Sequence, residues 1–445
     1  ELLCVFDKVD VLTSAGKQAN TYGIITDRIG ACYEAANNFH MAMQYYRKDL
    51  EISKQLKDAY PENLDYLSGY SESLDRVAEI YRAMNQLDDA LKYYQESFEI
   101  RKQLKAVYPK NPDYLRGYSI SLNQIAGIYE TMNQLDDALK YYQEGTEIFR
   151  QLKDAYSEDP DHLRDYSVSL YKVAGIYRAT NQLDDALKYY EEETEIIKQL
   201  KEAYSGNPNY LRDYSVSLDA IAGIYKAMNQ LDDALKYSQR VLEIFKQLKE
   251  VYPGNPNYLR DYSVSLEKLA EIYEAMNQLD DALKCYQDGL EISRQLKADY
   301  PENLNYLRDY SVSLEKLAGI YEAMNQLNDA LKCYQEENEI FGKLKAVYPK
   351  NPDYLCGYSV SLGKISGIYK MINRLDDALK YYQEETEIFR QLKDTYPENP
   401  TYLHDYLIAL DNISELYETM NQLDNANKYH QEALKVKKLL QSHNT

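Results

Sequence analysis

The sequence predicts an all-α fold, a right-handed α-solenoid (superhelix) of stacked antiparallel helix pairs. Three observations point there. The string Asn-Gln-Leu-Asp-Asp-Ala begins at Asn85, Asn133, Asn181, Asn229 and Asn277, with variants at Asn325, Asn373 and Asn421, in a constant step of 48 residues. One step earlier, Asn37-Asn38-Phe39-His40-Met41-Ala42 is a worn copy. Between these strings, apolar residues recur at three- and four-residue spacing, which is one buried face of a helix. A fixed period of this kind marks units that bury their apolar faces by stacking on one another.

Taken in order, residues 1–20 read as an N-terminal capping helix or segment, with Leu2, Leu3, Val5 and Phe6 its apolar part. Residues 21–445 read as nine repeats of 48 residues in one continuous solenoid. The unit that starts at Asn111 shows the logic. Asn111-Pro112 is an N-cap followed by Pro in the first turn. Leu115, Tyr118, Leu122, Ile125, Ala126 and Tyr129 then form the apolar face of the first helix. Asn133-Gln134 interrupts it. Asp136 and Asp137 open the second helix, where carboxylates suit the positive end of the dipole. Leu135, Ala138, Leu139, Tyr142, Ile148 and Leu152 supply its apolar face, and Tyr156 closes it before the next Asx-Pro pair, Asp159-Pro160. Each helix should run about 21 residues, or roughly 32 Å.

The 445 residues carry a formal charge of −21, which argues against nucleic acid as the main partner because phosphate binding needs Lys and Arg. No apolar run reaches bilayer length, so no membrane insertion is expected. The five cysteines, Cys4, Cys32, Cys285, Cys333 and Cys356, form no zinc spacing and suit a reducing, cytoplasmic setting. The 48 tyrosines stand against 7 Phe and no Trp.

The residues resemble the tetratricopeptide repeat. Leu74, Val77, Ala78, Tyr81, Ala90, Tyr94 and Ser97 stand at that family's offsets, and the worn first copy keeps Ile29, Gly30, Tyr33, Ala42 and Tyr46. The family's usual period is about 34 residues. Here the helix-ending Pro lies seven residues later, as at Pro109, and seven more residues precede the first helix's pattern. Seven residues is nearly two turns, so each helix lengthens without rotating its buried face. Long-helix versions occur in the family, as in kinesin light chains. The later small position varies through Ser97, Gly145, Glu193 and Val241, which predicts looser packing there.

The resemblance implies that first helices line a concave groove where ligands lie. Groove positions vary from copy to copy while packing positions do not. One column runs Asp75, Asn123, Tyr171, Asp219, Glu267, Glu315, Gly363 and Asp411. A second runs from Glu79 through Gly127 to Glu415, and a third includes Arg82, Glu130, Arg178 and Lys226. Such variation suits recognition, or equally a solvated face that drifts. The family's carboxylate clamp for chaperone C-termini needs Lys and Asn where this chain has mostly Asp, Glu, Gly and Tyr. In the added turns stands a column of Arg116, Arg164, Arg212, Arg260 and Arg308, ending where Cys356 and His404 replace Arg. These guanidiniums either grip a peptide's carboxylates and carbonyls or pair with carboxylates on neighbouring helices.

Tyr81- and Tyr94-type residues are family core positions. Tyr60-, Tyr66-, Tyr70- and Tyr93-type residues are surplus, and should pack the added turns with a partner for each hydroxyl or form a recognition surface. No catalytic constellation, metal site or cofactor motif is found, so the chain reads as a non-enzyme. The leading expectation is a scaffold that binds a protein or peptide ligand in its groove. The alternatives are a self-assembling structural protein, or the sensor array of a larger signalling protein, which the missing initiator Met at Glu1 permits.

Overall fold

A computed structural model describes the backbone of residues 16–443 and the side chains of residues 20–441. Leu2, Leu3, Val5 and Phe6 lie outside the described residues. The first helix, α1, is Gly16–Ala35 and α2 is Phe39–Ala59, followed by α3 Leu64–Ala83 and α4 Leu87–Val107. Next come α5 Pro112–Thr131, α6 Leu135–Ala155, α7 Pro160–Ala179, α8 Leu183–Ala203 and α9 Pro208–Ala227. Then α10 is Leu231–Val251, α11 Pro256–Ala275, α12 Leu279–Asp299, α13 Leu304–Ala323 and α14 Leu327–Val347. The last four are α15 Pro352–Met371, α16 Leu375–Thr395, α17 Pro400–Thr419 and α18 Leu423–His443. Odd-numbered helices are the first of a repeat and have 20 residues; even-numbered ones are the second and have 21. The chain divides after Asn229 into two compact units. Within each, every helix packs on the next.

The local chemistry of the turns explains the constant period. Asn111 caps α5 by accepting from the backbone N–H groups of Asp113 at 2.9 Å and Tyr114 at 3.2 Å, and Pro112 gives up an N–H that had no partner. At the other end Asn133 takes the left-handed conformation, φ 59°. That lets Gln134 N–H reach the Tyr129 carbonyl at 2.8 Å and Asn133 N–H reach Glu130 at 3.0 Å, closing α5 in a Schellman turn. Asparagine holds this conformation in all nine turns, with φ between 55° and 60°. Among the second helices Asn38 caps α2, accepting from Met41 N–H at 3.2 Å, whereas α4 through α16 lack a side-chain cap and carry one or two Asp in the first turn that serve the dipole instead.

Between the paired helices, Ala126 and Ala138 are fully enclosed, which lets backbones approach closely, and Tyr142 fills the space beside them. Its hydroxyl donates to Glu130 at 2.8 Å. The Tyr81-type residues are half-buried in most repeats rather than enclosed, and stack on Tyr93-type rings at 5.5–5.6 Å. In the added turns Tyr118 is buried, its hydroxyl donates to Glu144 at 2.7 Å, and Lys105 Nζ stands 3.9 Å over its ring. Tyr70 repeats the pattern with Glu96 and Lys57. Each such cation over a ring contributes about 1 kcal/mol. In these repeats the Tyr70-type hydroxyls thus have the expected partner.

The later small position is not loosely packed. Glu193 and Glu385 there are only 5% exposed, and Val241 2%. For Glu385, space is made on the first helix of the same repeat. Gly363 faces Glu385, and a Cβ added at Gly363 would lie 2.9 Å from the Glu385 carboxyl carbon. At Gly145 the roles reverse: Asn123 Oδ1 fills the room, 3.0 Å from where a Cβ would stand. In another repeat Asp75 pairs with Arg101 at 2.6 Å, and Arg101 also donates to Ser121 at 2.9 Å. Burial pushes the carboxyls of Glu193, Glu337 and Glu385 up to about 8, so they are largely neutral at pH 7.

Two outcomes follow. Asn133→Gly should leave the thermal midpoint nearly unchanged, whereas Asn133→Val forces a β-branched residue to positive φ and should cost about 1–2 kcal/mol in denaturant unfolding. The buried glutamates bind protons more tightly folded than unfolded. Their contribution is complete below the ordinary carboxylate range and is lost as pH rises towards about 8, by about 1.4 kcal/mol per pH unit for each residue. Glu385→Gln should flatten this slope, with the gain over wild type growing between pH 5 and pH 8. A constant difference across that range in pH-resolved melting would sink the assignment.

Candidate functional site

The first helices of unit 1 line two cavities. One, of about 590 Å³, is built mainly from α5 and α7. Arg116, Asn123 and Arg164 meet there, together with Arg82, Gly127 and Glu130 from the other variable columns. Six of the residues singled out by sequence therefore face one volume. Asn123 Oδ1 is buried without a hydrogen-bond partner. A second cavity, of about 610 Å³, lies along α1 and α3 and is acidic, with Asp27, Asp49, Asp65, Glu72, Asp75 and Glu79 around Arg76. Burial pushes the Asp49 carboxyl up to about 6 even though Ser73 donates to it at 2.6 Å.

The remaining predicted positions are spread along the helices. Tyr171 on α7 sets its ring edge-on to Tyr190, centroids 5.2 Å apart, and Arg178 is exposed at the end of the same helix. Asp219 and Lys226 are half-buried on α9, where Arg212 is exposed. In unit 2, Glu267 on α11 accepts from Ser313 of α13 at 2.5 Å, and burial raises its carboxyl above the ordinary range. Glu315 on α13 is exposed, and its charge acts on the buried carboxyl of Glu337.

The arginine column pairs with the next first helix. Arg116 binds Asp165 through two nitrogens, one of them at 3.2 Å. Arg260 binds Asp309 in the same way at 2.5 and 3.1 Å, and Arg164 stands 3.8 Å from Asp213. Asp165 holds the Arg116 guanidinium above its ordinary range by hydrogen bonding, and Asp309 does the same for Arg260. Each partner lies 49 residues on, one repeat plus one residue. Such partly exposed pairs contribute at most about 1 kcal/mol each, so they set register more than stability. Arg308 is exposed, and residue 357, where its aspartate would stand, is glycine.

Sequence reading passed over a ladder beside that column. Four residues after each arginine, the first helices carry Ile120, Val168 and Val216 in unit 1 and Val264, Val312, Val360 in unit 2, with Ile24 and Ile408 at the equivalent places and Glu72 the exception. Val168 is 49% exposed, Val360 41% and Ile408 45%, while Leu170, Leu362 and Leu410, two residues on in the same helices, are buried. The signal was available as a β-branched residue at one fixed offset, on the opposite side of the helix from Leu170 and Val173.

Among the described residues no group of three or more His, Cys, Asp or Glu is placed to hold a metal ion. No described helix is long and apolar enough to cross a membrane. Cys32, Cys285, Cys333 and Cys356 are unpaired.

Comparison with known proteins is consistent with this geometry. Models of the tetratricopeptide repeat match residues 26–60, 71–104, 120–152 and 213–295. No curated protein matches. Among solved structures, the apo form of RapI is 14% identical, with a TM-score of 0.52, covering 91% of this chain and 97% of its own. A signal transduction ATPase of Pyrococcus horikoshii with a tetratricopeptide repeat sensor, PH0952, is 15% identical, with a TM-score of 0.51, over 90% of this chain and 55% of its own. Nearly identical TPR-like repeats from Podosopora anserina are 24% identical, with a TM-score of 0.38, over 53% of this chain and 99% of theirs. The repeat pattern, the stacked helices and the four family-model matches are those of a tetratricopeptide-repeat protein, to which this chain is similar.

Proposed function

We propose that the chain is a protein-interaction scaffold that holds an extended peptide or a partner's helix along the face lined by its first helices. The observation that carries this reading is the exposed ladder of Val168, Val216, Val360, Ile408 and their equivalents. A β-branched residue at this position in every repeat but that of Glu72, exposed in most and rimmed by charge, makes a row that a bound chain would cover. In unit 1 it shares a cavity with Asn123, Arg116 and Arg164, so apolar contact and polar selection act on one ligand. The mean rise of a bound strand, about 3.3 Å per residue, would bring a side chain to each repeat every few residues.

A second reading, self-association, has its own support. Tyr60, Tyr108, Tyr156 and Tyr204 in unit 1, and Tyr252, Tyr300, Tyr348 and Tyr396 in unit 2, are exposed at the ends of second helices. Most set their ring at a tilt against the tyrosine six residues later, as Tyr108 does to Tyr114, centroids 5.6 Å apart. Tyrosine-rich edges of this kind are common at protein interfaces.

A random peptide array probed with the full chain tests the first reading. Hits are expected, and Val168→Asp or Val360→Asp should weaken at least some of them roughly tenfold, as expected for the loss of one buried valine. Hits indifferent to both changes would remove the ladder from the site. Light scattering against concentration separates the second reading, which fails if the mass stays that of one chain throughout.

A further inference from the structure

The Arg–Asp rungs of unit 2 are interrupted at one helix. Helices α7, α9, α11 and α13 carry Arg-Asp at this place; in Arg164-Asp165 the aspartate serves Arg116 of the helix before and the arginine faces Asp213 of the helix after. Helix α15 carries Cys356-Gly357 instead and gives neither. Two groups are left without their usual partner. Arg308 on α13 is exposed and has Gly357 where Asp309 stands for Arg260. Asp405 on α17 has Cys356 where Arg116 stands for Asp165.

The acidic side is uncompensated. Burial raises the Asp405 carboxyl above its ordinary range, and the one charge opposing this is the neighbouring His404. Asp353 and Asp405 both act on the Cys356 thiol, which burial pushes up to about 11, so it adds no charge of either sign. Behind them lies Glu385, 5% exposed, with Oε2 lacking any hydrogen-bond partner and its carboxyl raised further by Asp405. The serine that meets an equivalent glutamate elsewhere, Ser217 with Glu193 at 2.8 Å, is replaced here by Ala409. On its other flank Arg308 lines a small cavity between α11 and α13 with Val264, Val312, Glu267 and Asp309, so the carboxylates near it lie on that flank and the α15 side supplies none. The chain cannot restore its own aspartate easily, since a Cβ on Gly357 would lie 2.6 Å from Phe341 Cζ.

We infer that the face of α15 is a two-point subsite for a peptide carrying one acidic and one basic side chain, the ligand's carboxylate taking the place of the missing aspartate at Arg308 and its Lys or Arg that of the missing guanidinium at Asp405. This rests on the groove reading above and gives it a specificity. Neighbouring helix axes lie about 8–10 Å apart. Two charges above α15 that face α13 and α17 are therefore about 10 Å apart, which an extended peptide spans in about three residues. The recognised pattern is an acidic and a basic residue separated by two others.

The test uses the full chain and blocked, fluorescent hexapeptides, Ala-Asp-Ala-Ala-Arg-Ala and its reversed order, with Asn and Gln replacing the charges as control. One of the two charged peptides should bind at least tenfold more tightly than the control. Arg308→Ala should weaken it about tenfold, in the range of one charged hydrogen bond. Cys356→Arg supplies the missing guanidinium from the chain, so it should weaken binding similarly while raising the melting temperature. Asp405→Asn serves if that variant folds poorly, and should abolish the preference for the basic residue. Binding within twofold in Arg308→Ala and in the second variant overturns the subsite, as does failure of both charged peptides to exceed the control. If array hits from the previous test still bind, only the subsite falls; if no peptide of the array binds, the groove reading falls with it.

Discussion

A left-handed backbone conformation at asparagine underlies the regularity of both units. Asn133 and its equivalents place one residue at φ near 58°, and the Schellman bonds that follow fix how α5 hands the chain to α6. Asparagine tolerates this region better than other non-glycine residues, because its short side chain bonds locally. Since the turn has one length in every repeat, a given position always reappears in the same packing environment. The positions of Ala126 and Ala138 can then stay small and that of Tyr142 large in most repeats, and a difference at any one position, such as Ser238 in the place of Tyr142, is felt against a constant background.

That background made much of the fold legible. Helix ends were readable because Asn111-Pro112 and Asp136-Asp137 act through local chemistry, within a few residues of themselves. The buried faces were readable because Leu122, Ile125 and Tyr142 follow helical spacing. The site was less so. The Arg116–Asp165 rung spans 49 residues, and an exposed arginine has the same spacing whether it binds a ligand or its neighbour. The change from Ser97 through Gly145 to Glu193 and Val241 suggests loose packing in sequence because a glutamate's burial depends on what faces it: Gly363 is 22 positions from the equivalent Glu385 but in contact with it in space. The exposed valines were missed for the opposite reason: they hardly vary, and attention to varying columns passed over a fixed one.

Two kinds of difference are thus written on the repeats. Inside, Gly363 with Glu385 and Gly145 with Asn123 trade volume across a helix pair, so that composition changes while packing is kept. Outside, the first-helix face keeps its aliphatic ladder and alters its charges. The internal exchanges leave carboxyls that burial keeps largely neutral, and the acidic character of the chain is concentrated on exposed faces. A surface of net negative charge with a few rigid arginine pairs favours partners with a definite charge order over those held by charge alone.

The 49-residue reach of the rungs has a consequence for how such a chain changes over generations. Arrays of near-identical copies gain and lose whole copies by unequal exchange. Removing one 48-residue copy that includes α15 would bring Arg308 into register with Asp405 and close the gap in the ladder without a single point substitution. Duplicating that copy would open a second gap one repeat along. Copy number alone can therefore delete or multiply a charged feature of the surface, while every remaining hairpin keeps its own core.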